Sequence, residues 1–280
     1  MSFRSGFASL VGRPNVGKST VLNAILGQKV SIVSDKPQTT RHQVRGVLHR
    51  ADAQLVFVDT PGLHKPVSAL GERLNRTASE AFDGVDVVCL VLDATQPLGR
   101  GDRFVAARCP SDLVVVVNKI DRASRAQVAS QLAAAAELNA EAYFPVSGRT
   151  GEGLPELVEH LVARLPEGPP LYPADVVADM PEAQWVAELV REQLLRATRE
   201  ELPYSIATRV TEWEWPRIRV EILVERESQK GMVIGKGGAV LKQAGTQARR
   251  QLPEGAHLEL FVKVDKDWQR RPDRVERLGY

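Results

Sequence analysis

An α/β domain with a mixed, mostly parallel sheet, followed by a smaller α+β domain, is the fold class that the 280-residue sequence predicts. Three observations lead to it. Over the first 165 residues, short β-branched runs alternate with longer amphipathic stretches, the rhythm of a sheet whose crossovers are helices. The runs DVVCLVLD and DLVVVVNK lack polar alternation, which suits central strands covered on both faces. Past residue 180 the element order becomes α-β-β-α-α-β.

Taken in chain order, the patterning predicts strands over 7–11, 43–50, 54–58, 86–92, 112–117 and 142–146, and helices over 17–26, 68–82, 124–138 and 153–164. The stretch LPEGPPLYPAD, with four prolines and a glycine in eleven residues, is too broken for either element and marks the boundary. The expected organisation is a first domain over 1–168, a linker over 169–179 and a second domain over 180–280. The second domain opens on PEAQWVAELVREQLLRATREEL. Trp185, Leu189 and Leu194 recur there near helical spacing with charges between them, as in one long amphipathic helix. Strands over 204–212 and 217–226, a helix over 238–252 and a strand in HLELFVKV follow.

Composition excludes several classes. With 43% hydrophobic and 26% charged residues the chain reads as an ordinary globular protein, neither disordered nor membrane-embedded. No apolar run approaches the roughly 18 residues of a spanning helix. The opening MSFRSGFASL is too short and polar for a secretory signal, so a cytoplasmic location is expected. Cys89 and Cys109 form neither a disulfide framework nor a metal-ligand spacing and read as structural. The net charge of +2 hides a local field: residues 228–253 carry Lys230, Lys236, Lys242, Arg249 and Arg250 and no acid.

The stretch GRPNVGKST, residues 12–20, has the spacing G-x-x-x-x-G-K-[ST] between a predicted strand and a predicted helix. Glycines there let the backbone wrap around phosphates while the helix amides face the negative charge. Gly12, Asn15, Val16, Gly17, Lys18, Ser19 and Thr20 are the candidate phosphate-binding residues. Lys18 reaches the β and γ phosphates and the Ser19 hydroxyl ligates Mg²⁺. In DTPG, residues 59–62, Asp59 can hold Mg²⁺ through water and the Gly62 amide can meet the γ phosphate. In KPQTTRH, residues 36–42, a threonine can sense that phosphate through Mg²⁺, Thr40 ahead of Thr39. The candidate switch set is thus Thr39, Thr40, Asp59, Thr60, Pro61, Gly62 and Leu63, within mobile segments 34–46 and 62–76.

A P-loop alone does not choose between ATP and GTP. NKID, residues 118–121, decides it: Asp121 accepts both the N1 and exocyclic amino hydrogens of guanine, which adenine cannot offer. Asn118 supports the other edge of the base and the Lys119 stem lies along the ring. A metabolic kinase using the same loop, and a passive RNA-binding module with nucleotide as structural glue, are the rival readings.

These three motifs, with VSG at 146–148, resemble the translation-factor-related GTPases. That resemblance implies a P-loop GTPase domain binding GTP and GDP, with a backbone amide near Ser147 and Gly148 on the guanine oxygen. Relatives usually carry Ser-Ala there, and glycine adds flexibility. In Ras-type enzymes a glutamine follows D-x-x-G; the residue here is Leu63, which orients no water, so intrinsic hydrolysis is expected to be slow. Relatives with an asparagine at the position of Asn15 commonly recruit K⁺ in place of an arginine finger.

VIGKGG, residues 233–238, places G-x-x-G between two helices, where glycines allow close approach of a nucleic-acid backbone and Lys236 adds charge. With the element order and the basic segment, it resembles a type II KH domain. Lys230, Val233, Ile234, Gly235, Lys236, Gly237, Gly238 and Lys242 are the candidate RNA-binding residues, Val233 and Ile234 as an apolar floor. The four tryptophans are read as core. GRPNVGKST, QTTRH, VDTPGLHKP, NKID, ELPYS, ILVERESQKGMVIGKGG and VKVDKDW together resemble the Era family of GTPases over essentially the whole chain. What that resemblance implies is a role in small ribosomal subunit assembly. It also implies binding to the 3′ end of 16S-type ribosomal RNA and loose association with the inner membrane surface; a monomer with no DNA partner is expected.

Overall fold

The computed structural model describes residues 2–63, 68–80, 84–198 and 202–280. The chain forms two compact units, one from the described residues of 1–33, 40–65 and 73–179, the other from those of 34–39, 66–72 and 180–280.

The first unit is a seven-stranded sheet ordered β6-β5-β4-β1-β3-β2-β7, made by β1 (Arg4–Val11), β2 (Val44–His49), β3 (Ala53–Asp59), β4 (Val87–Asp93), β5 (Val114–Asn118), β6 (Ala142–Pro145) and β7 (Ala178–Asp179). Its helices are α1 (Lys18–Leu26), α2 (Ala69–Glu80), α3 (Arg100–Ala106), α4 (Arg125–Ala136) and α5 (Leu154–Arg164), of which Ala69–Glu72 cluster with the other unit. Every residue of β3, β4 and β5 is buried, as unbroken β-branched runs require. Each fully buried Val or Leu there contributes about 1.5–3 kcal/mol. β1 pairs in parallel with β3 and β4, placing Leu10 opposite Asp59 and Cys89, and β4 sets Asp93 opposite Asn118. The carboxyl ends of four strands therefore bring Gly12, Asp59, Asp93 and Asn118 to one edge, where ligands bind in open α/β sheets.

Two features depart from the patterning. α3 occupies a segment with no predicted helix; it is short, and the Asp102 carboxylate caps it by accepting the Gly99 amide at 2.9 Å. The proline-rich stretch is docked on the first unit. Gln54 Oε1 accepts the Leu171 and Tyr172 amides at 2.6 and 2.8 Å, Gln54 Nε2 donates to the Tyr172 carbonyl at 2.8 Å, and β7 pairs with β2. Prolines interrupt regular pairing, and a buried glutamine supplies the partners that the remaining amides need.

The second unit contains α6 (Glu182–Ala197), α7 (Leu202–Ser205), β8 (Ala207–Glu214), β9 (Arg217–Val224), α8 (Glu227–Ile234), α9 (Ala239–Arg249), β10 (His257–Val264) and α10 (Pro272–Arg277). Its sheet order is β10-β9-β8, with β8 antiparallel and β10 parallel to β9. Val186, Leu189, Val190, Leu194, Val220, Ile222, Ala244 and Ala248 share its core. The strand expected from 204 starts at Ala207, because Leu202–Ser205 turns helically; residues 199–201 of the expected long helix, and 81–82 of the expected 68–82 helix, lie outside the described residues. Trp268 is fully buried and donates to the Ser205 carbonyl at 3.0 Å, whereas Trp213 and Trp215 are exposed rather than core.

Candidate functional site

β1 ends at Val11 and the backbone turns through left-handed conformations at Asn15 and Gly17 before α1 begins. Side chains are excluded here: a Cβ on Gly12 would stand 2.6 Å from the Val91 carbonyl oxygen. Lys18 Nζ donates to the Gly12 and Arg13 carbonyls at 3.2 Å each. Burial lowers the Lys18 pKa to about 8, with Asp59 opposing the shift. The loop thus points a desolvated ammonium and a helix start at one place, a site for phosphate.

Beside it, Ser19 Oγ lies 3.0 Å from Thr40 Oγ1 and donates to Asp59 Oδ2 at 2.6 Å, and Ser31 Oγ donates to the same oxygen at 2.9 Å. Burial pushes the Asp59 carboxyl upward, against Lys18 and these hydroxyls, and Asp59 Oδ1 has no hydrogen-bond partner among the described residues. A buried carboxylate oxygen without a donor calls for a cation. Adjacent ligands around octahedral Mg²⁺ stand about 3.0 Å apart, the separation found between Ser19 and Thr40. The donor set therefore fits Mg²⁺. Of the two switch threonines, Thr39 turns its hydroxyl to the Lys36 carbonyl at 2.7 Å and only Thr40 reaches Ser19. Thr60 Oγ1 donates to the Leu10 carbonyl at 3.1 Å. Gly62 abuts the P-loop, where a Cβ would meet Pro14 N at 2.7 Å. Leu63 is buried in the core with Val11, Leu90 and Leu92.

The base-recognition residues gather at the ends of β5 and β6. Asp121 is exposed and its Oδ1 accepts the Ser147 hydroxyl at 2.8 Å. Asn118 is committed otherwise than expected. Its Nδ2 donates to the Val16 carbonyl at 2.9 Å and its Oδ1 accepts the Gly148 amide at 2.9 Å, so it staples the P-loop to the 147–148 loop. The Gly148 amide, expected on the guanine oxygen, is spent on Asn118. Nor is Gly148 a source of flexibility: a Cβ there would meet Val21 N at 2.9 Å, because α1 fills that space. Lys119 Nζ donates to the Asn15 carbonyl and to Asp93 Oδ2, both at 2.6 Å. Burial would raise the Asp93 carboxyl, but the bonds from Lys119 and Thr95 outweigh it and its pKa falls below the ordinary value. Asp93 and Ser31 were not found from the sequence. The signal was present for Asp93, an acid ending the apolar run DVVCLVLD at the same sheet edge.

In the second unit Gly235 ends α8 at φ 74, and a Cβ there would stand 2.9 Å from Val240 N, so only glycine fits. Gly237 and Gly238 also have positive φ and open space around them, and Lys236 is exposed. An open groove of about 470 Å³ runs between α9 and β10. Gly238 and Lys242 line it, with Arg249 of the basic segment and with Leu241, Gly245, Thr246, Leu258 and Leu260, which sequence reading missed. Gly245 was the available signal: glycine inside a helix costs about 1 kcal/mol relative to alanine, and here it opens the groove, with Leu260 only 3.1 Å from where its Cβ would be. Val233, expected as the groove floor, is instead fully buried in the core. Lys230 and Ile234 lie on α8 and do not line the groove.

A P-loop on a mostly parallel sheet, an N-K-x-D strand end and a G-x-x-G between helices define a guanine-nucleotide-binding protein joined to a KH unit. Comparison with known families agrees: residues 7–119 match the model described as 50S ribosome-binding GTPase, and residues 201–269 match the KH domain. GTPase Era of Mycobacterium tuberculosis (strain ATCC 25618 / H37Rv) is 46% identical, with 99% of both chains covered, and so is that of Mycobacterium bovis (strain BCG / Pasteur 1173P2). Two solved structures are 38% identical with a TM-score of 0.93 over 99% of both chains. One is Era in complex with MgGDPNP and nucleotides 1506–1542 of 16S ribosomal RNA, the other a point variant of Aquifex aeolicus Era bound to GDP.AlF4⁻. The chain belongs to the Era family of GTPases.

Proposed function

We propose that this protein is a GTP-driven switch whose output is its affinity for the 3′ end of small-subunit ribosomal RNA, acting in assembly of that subunit. The observation that carries the reading is the convergence of Ser19, Thr40 and Asp59 oxygens beside a buried Lys18, in a chain that also carries a G-x-x-G groove. The P-loop amides of Gly12 to Thr20 cradle the phosphates, Lys18 neutralises them, and Gly62 approaches the γ phosphate. Ser19 and Thr40 would hold Mg²⁺ directly and Asp59 through water, and the ion would offset charge on the phosphate oxygens. Asp121 reads the guanine edge, and Asn118 and Ser147 hold that loop in place. Lys236, Lys242 and Arg249 meet RNA phosphates along the groove, and the glycines admit the backbone.

Support for the RNA target is a relative of 38% identity crystallised with both MgGDPNP and 16S nucleotides. The description of the family model matched by residues 7–119 favours a second reading, large-subunit RNA. That match covers the nucleotide unit alone, whereas the likeness to the 16S complex covers 99% of the chain, so the first reading is preferred. Leu63, packed in the core, orients no water, so we assign slow intrinsic hydrolysis assisted by K⁺ near Asn15. Equal turnover in sodium and potassium buffers would remove that assignment. Among the described residues no helix is long and apolar enough to cross a membrane. We place the protein in the cytoplasm, as a monomer, loosely associated with the inner membrane face.

The test is the affinity for a labelled 16S 3′-terminal oligonucleotide in the presence of GDP or a non-hydrolysable GTP analogue. The analogue is expected to tighten binding about 5-fold or more, the range of ordinary allosteric couplings. Identical dissociation constants, or a preference for large-subunit RNA, would overturn the reading.

A further inference from the structure

The helix α3 buries a carboxylate. Asp102 is only 1% exposed, and a buried carboxylate is costly unless its oxygens are paired. Oδ2 accepts the Gly99 amide at 2.9 Å and caps the helix, while Oδ1 accepts Arg13 Nε at 2.6 Å. The second bond joins α3 to the P-loop, both within the first unit. The Arg13 stem lies flat on the α3 backbone: a Cβ on Gly101 would stand 2.5 Å from Arg13 Cδ. Nε is the nitrogen next to that stem. The bond to Asp102 and the seat on Gly101 therefore hold Arg13 near its Cα, where a bond made only at the tip of the side chain would leave it free.

Two contacts depend on how that Cα is oriented. The peptides on either side of it carry the Gly12 and Arg13 carbonyls, and both accept Lys18 Nζ at 3.2 Å. The Arg13–Pro14 peptide is also the wall that Gly62 meets, since a Cβ on Gly62 would stand 2.7 Å from Pro14 N. Peptides are planar and proline fixes its own φ, so the turn from Gly12 to Pro14 keeps few soft torsions once Arg13 is held. Lys18 reaches the β and γ phosphates, whereas Gly62 meets the γ phosphate alone, which GDP lacks.

We infer that Asp102 is a positioning residue for the γ phosphate: through Arg13 it holds the turn against which Lys18 and Gly62 are set. Removing its charge frees that turn. The loss is greater for GTP, which uses both Lys18 and Gly62, than for GDP, which uses Lys18 alone. This inference rests on the phosphate placement proposed above.

The test is the dissociation constant of a fluorescent non-hydrolysable GTP analogue divided by that of fluorescent GDP. It is measured with Mg²⁺ on the full chain for the wild type, Asp102→Asn, Arg13→Met and the double variant. Asparagine keeps the shape but turns an N–H toward either Gly99 or Arg13, and methionine keeps the stem on Gly101 without a donor. Each single variant is expected to raise the ratio about 5-fold or more, within the range that loss of a charge-assisted hydrogen bond spans. Because Asp102 acts through Arg13, the two shifts should not add: the double variant should match the larger single shift within about twofold. Equal weakening of GDP and the analogue in Asp102→Asn, as a merely structural role would give, overturns the inference, and so do shifts that add. Should Asp102→Asn melt much earlier, Gly101→Ala takes its place, alone and with Arg13→Met, with the same expectation. Its methyl group displaces the Arg13 stem and leaves the carboxylate intact. Gly62→Ala separates the two claims. A ratio unchanged there beside a shift in Asp102→Asn defeats the placement of Gly62 and leaves Asp102 acting through Lys18. A shift in Gly62→Ala with none in Asp102→Asn defeats this inference alone.

Discussion

The Lys119 ammonium stands 2.6 Å from the buried Asp93 carboxylate, and this pair anchors the Lys119 side chain beside the end of β5. The same ammonium holds the Asn15 carbonyl at 2.6 Å, so Asp93 positions the base-recognition loop and the P-loop through one contact. We predict that Asp93→Asn raises the GDP dissociation constant about 10-fold, as loss of a charged hydrogen bond does, mainly through faster release. Stopped-flow release of a fluorescent GDP measures it. The Asp93 pKa lies below its ordinary value of 3.8, so its stabilisation is complete above that value and is lost as pH falls through the lower folded pKa. Release from the wild type should therefore show no pH dependence from this pair between about pH 5 and 8.

Gly148 offers a second check. A Cβ here would stand 2.9 Å from Val21 N and 3.1 Å from Thr20 C. Backbone cannot yield as a side chain tip does. Gly148→Ala should destabilise the free protein by about 1–3 kcal/mol, the cost of overpacking. It should also weaken the Asn118 staple, seen as a lower melting temperature and a smaller stabilisation by GDP. An unchanged melting curve would show that α1 moves aside.

The groove residues separate from the core residues by salt dependence. Arg249→Gln and Lys242→Gln should each reduce the slope of log affinity against log salt by about 0.7, one single-strand phosphate contact apiece, with little change in stability. Val233→Thr should do the opposite. Val233 is fully buried, so a hydroxyl there costs about 1–3 kcal/mol of stability while the salt slope stays as it was. A slope change in Val233→Thr alone would place the RNA on the other face of α8.

Cys89 and Cys109 have pKa values pushed up to about 12 by burial, from an ordinary value of 9.0. Thiolate is the reactive form, so alkylation at pH 8 should run roughly 1000-fold slower than for a free thiol and should follow global unfolding. Between pH 9 and 12 the unfolded chain has released these protons and the folded chain retains them. Stability then falls as pH rises through that window. Cys89→Ala should flatten the decline, measured by chemical denaturation across the range.

Local chemistry was legible before the fold was known. Lys18, Ser19, Thr40, Asp59, Asp121 and Gly235 could be assigned in advance, because phosphate cradles, strand-end acids and left-handed glycines depend on residue type at short spacing. Asp93 and Ser31 were not, since each acts on a residue distant in sequence, although the place of Asp93 at the end of DVVCLVLD was a signal for it. The groove along α9 was half legible: Lys242 announced itself by charge, while Leu241 and Leu260 read as ordinary core residues until β10 was placed beside them.

By itself the sequence determined which segments become central strands, where the phosphate loop turns, and that N-K-x-D starts where a strand ends, since burial of apolar runs and glycine stereochemistry act within a few residues. Only the tertiary structure decided that Asn118 staples two loops, that the proline-rich stretch docks on Gln54, and that Glu188 and Arg191 are buried rather than solvated. A polar side chain has no preferred partner until folding takes its water away. The partner it then finds is whichever unpaired donor or acceptor the packing has brought within about 3 Å.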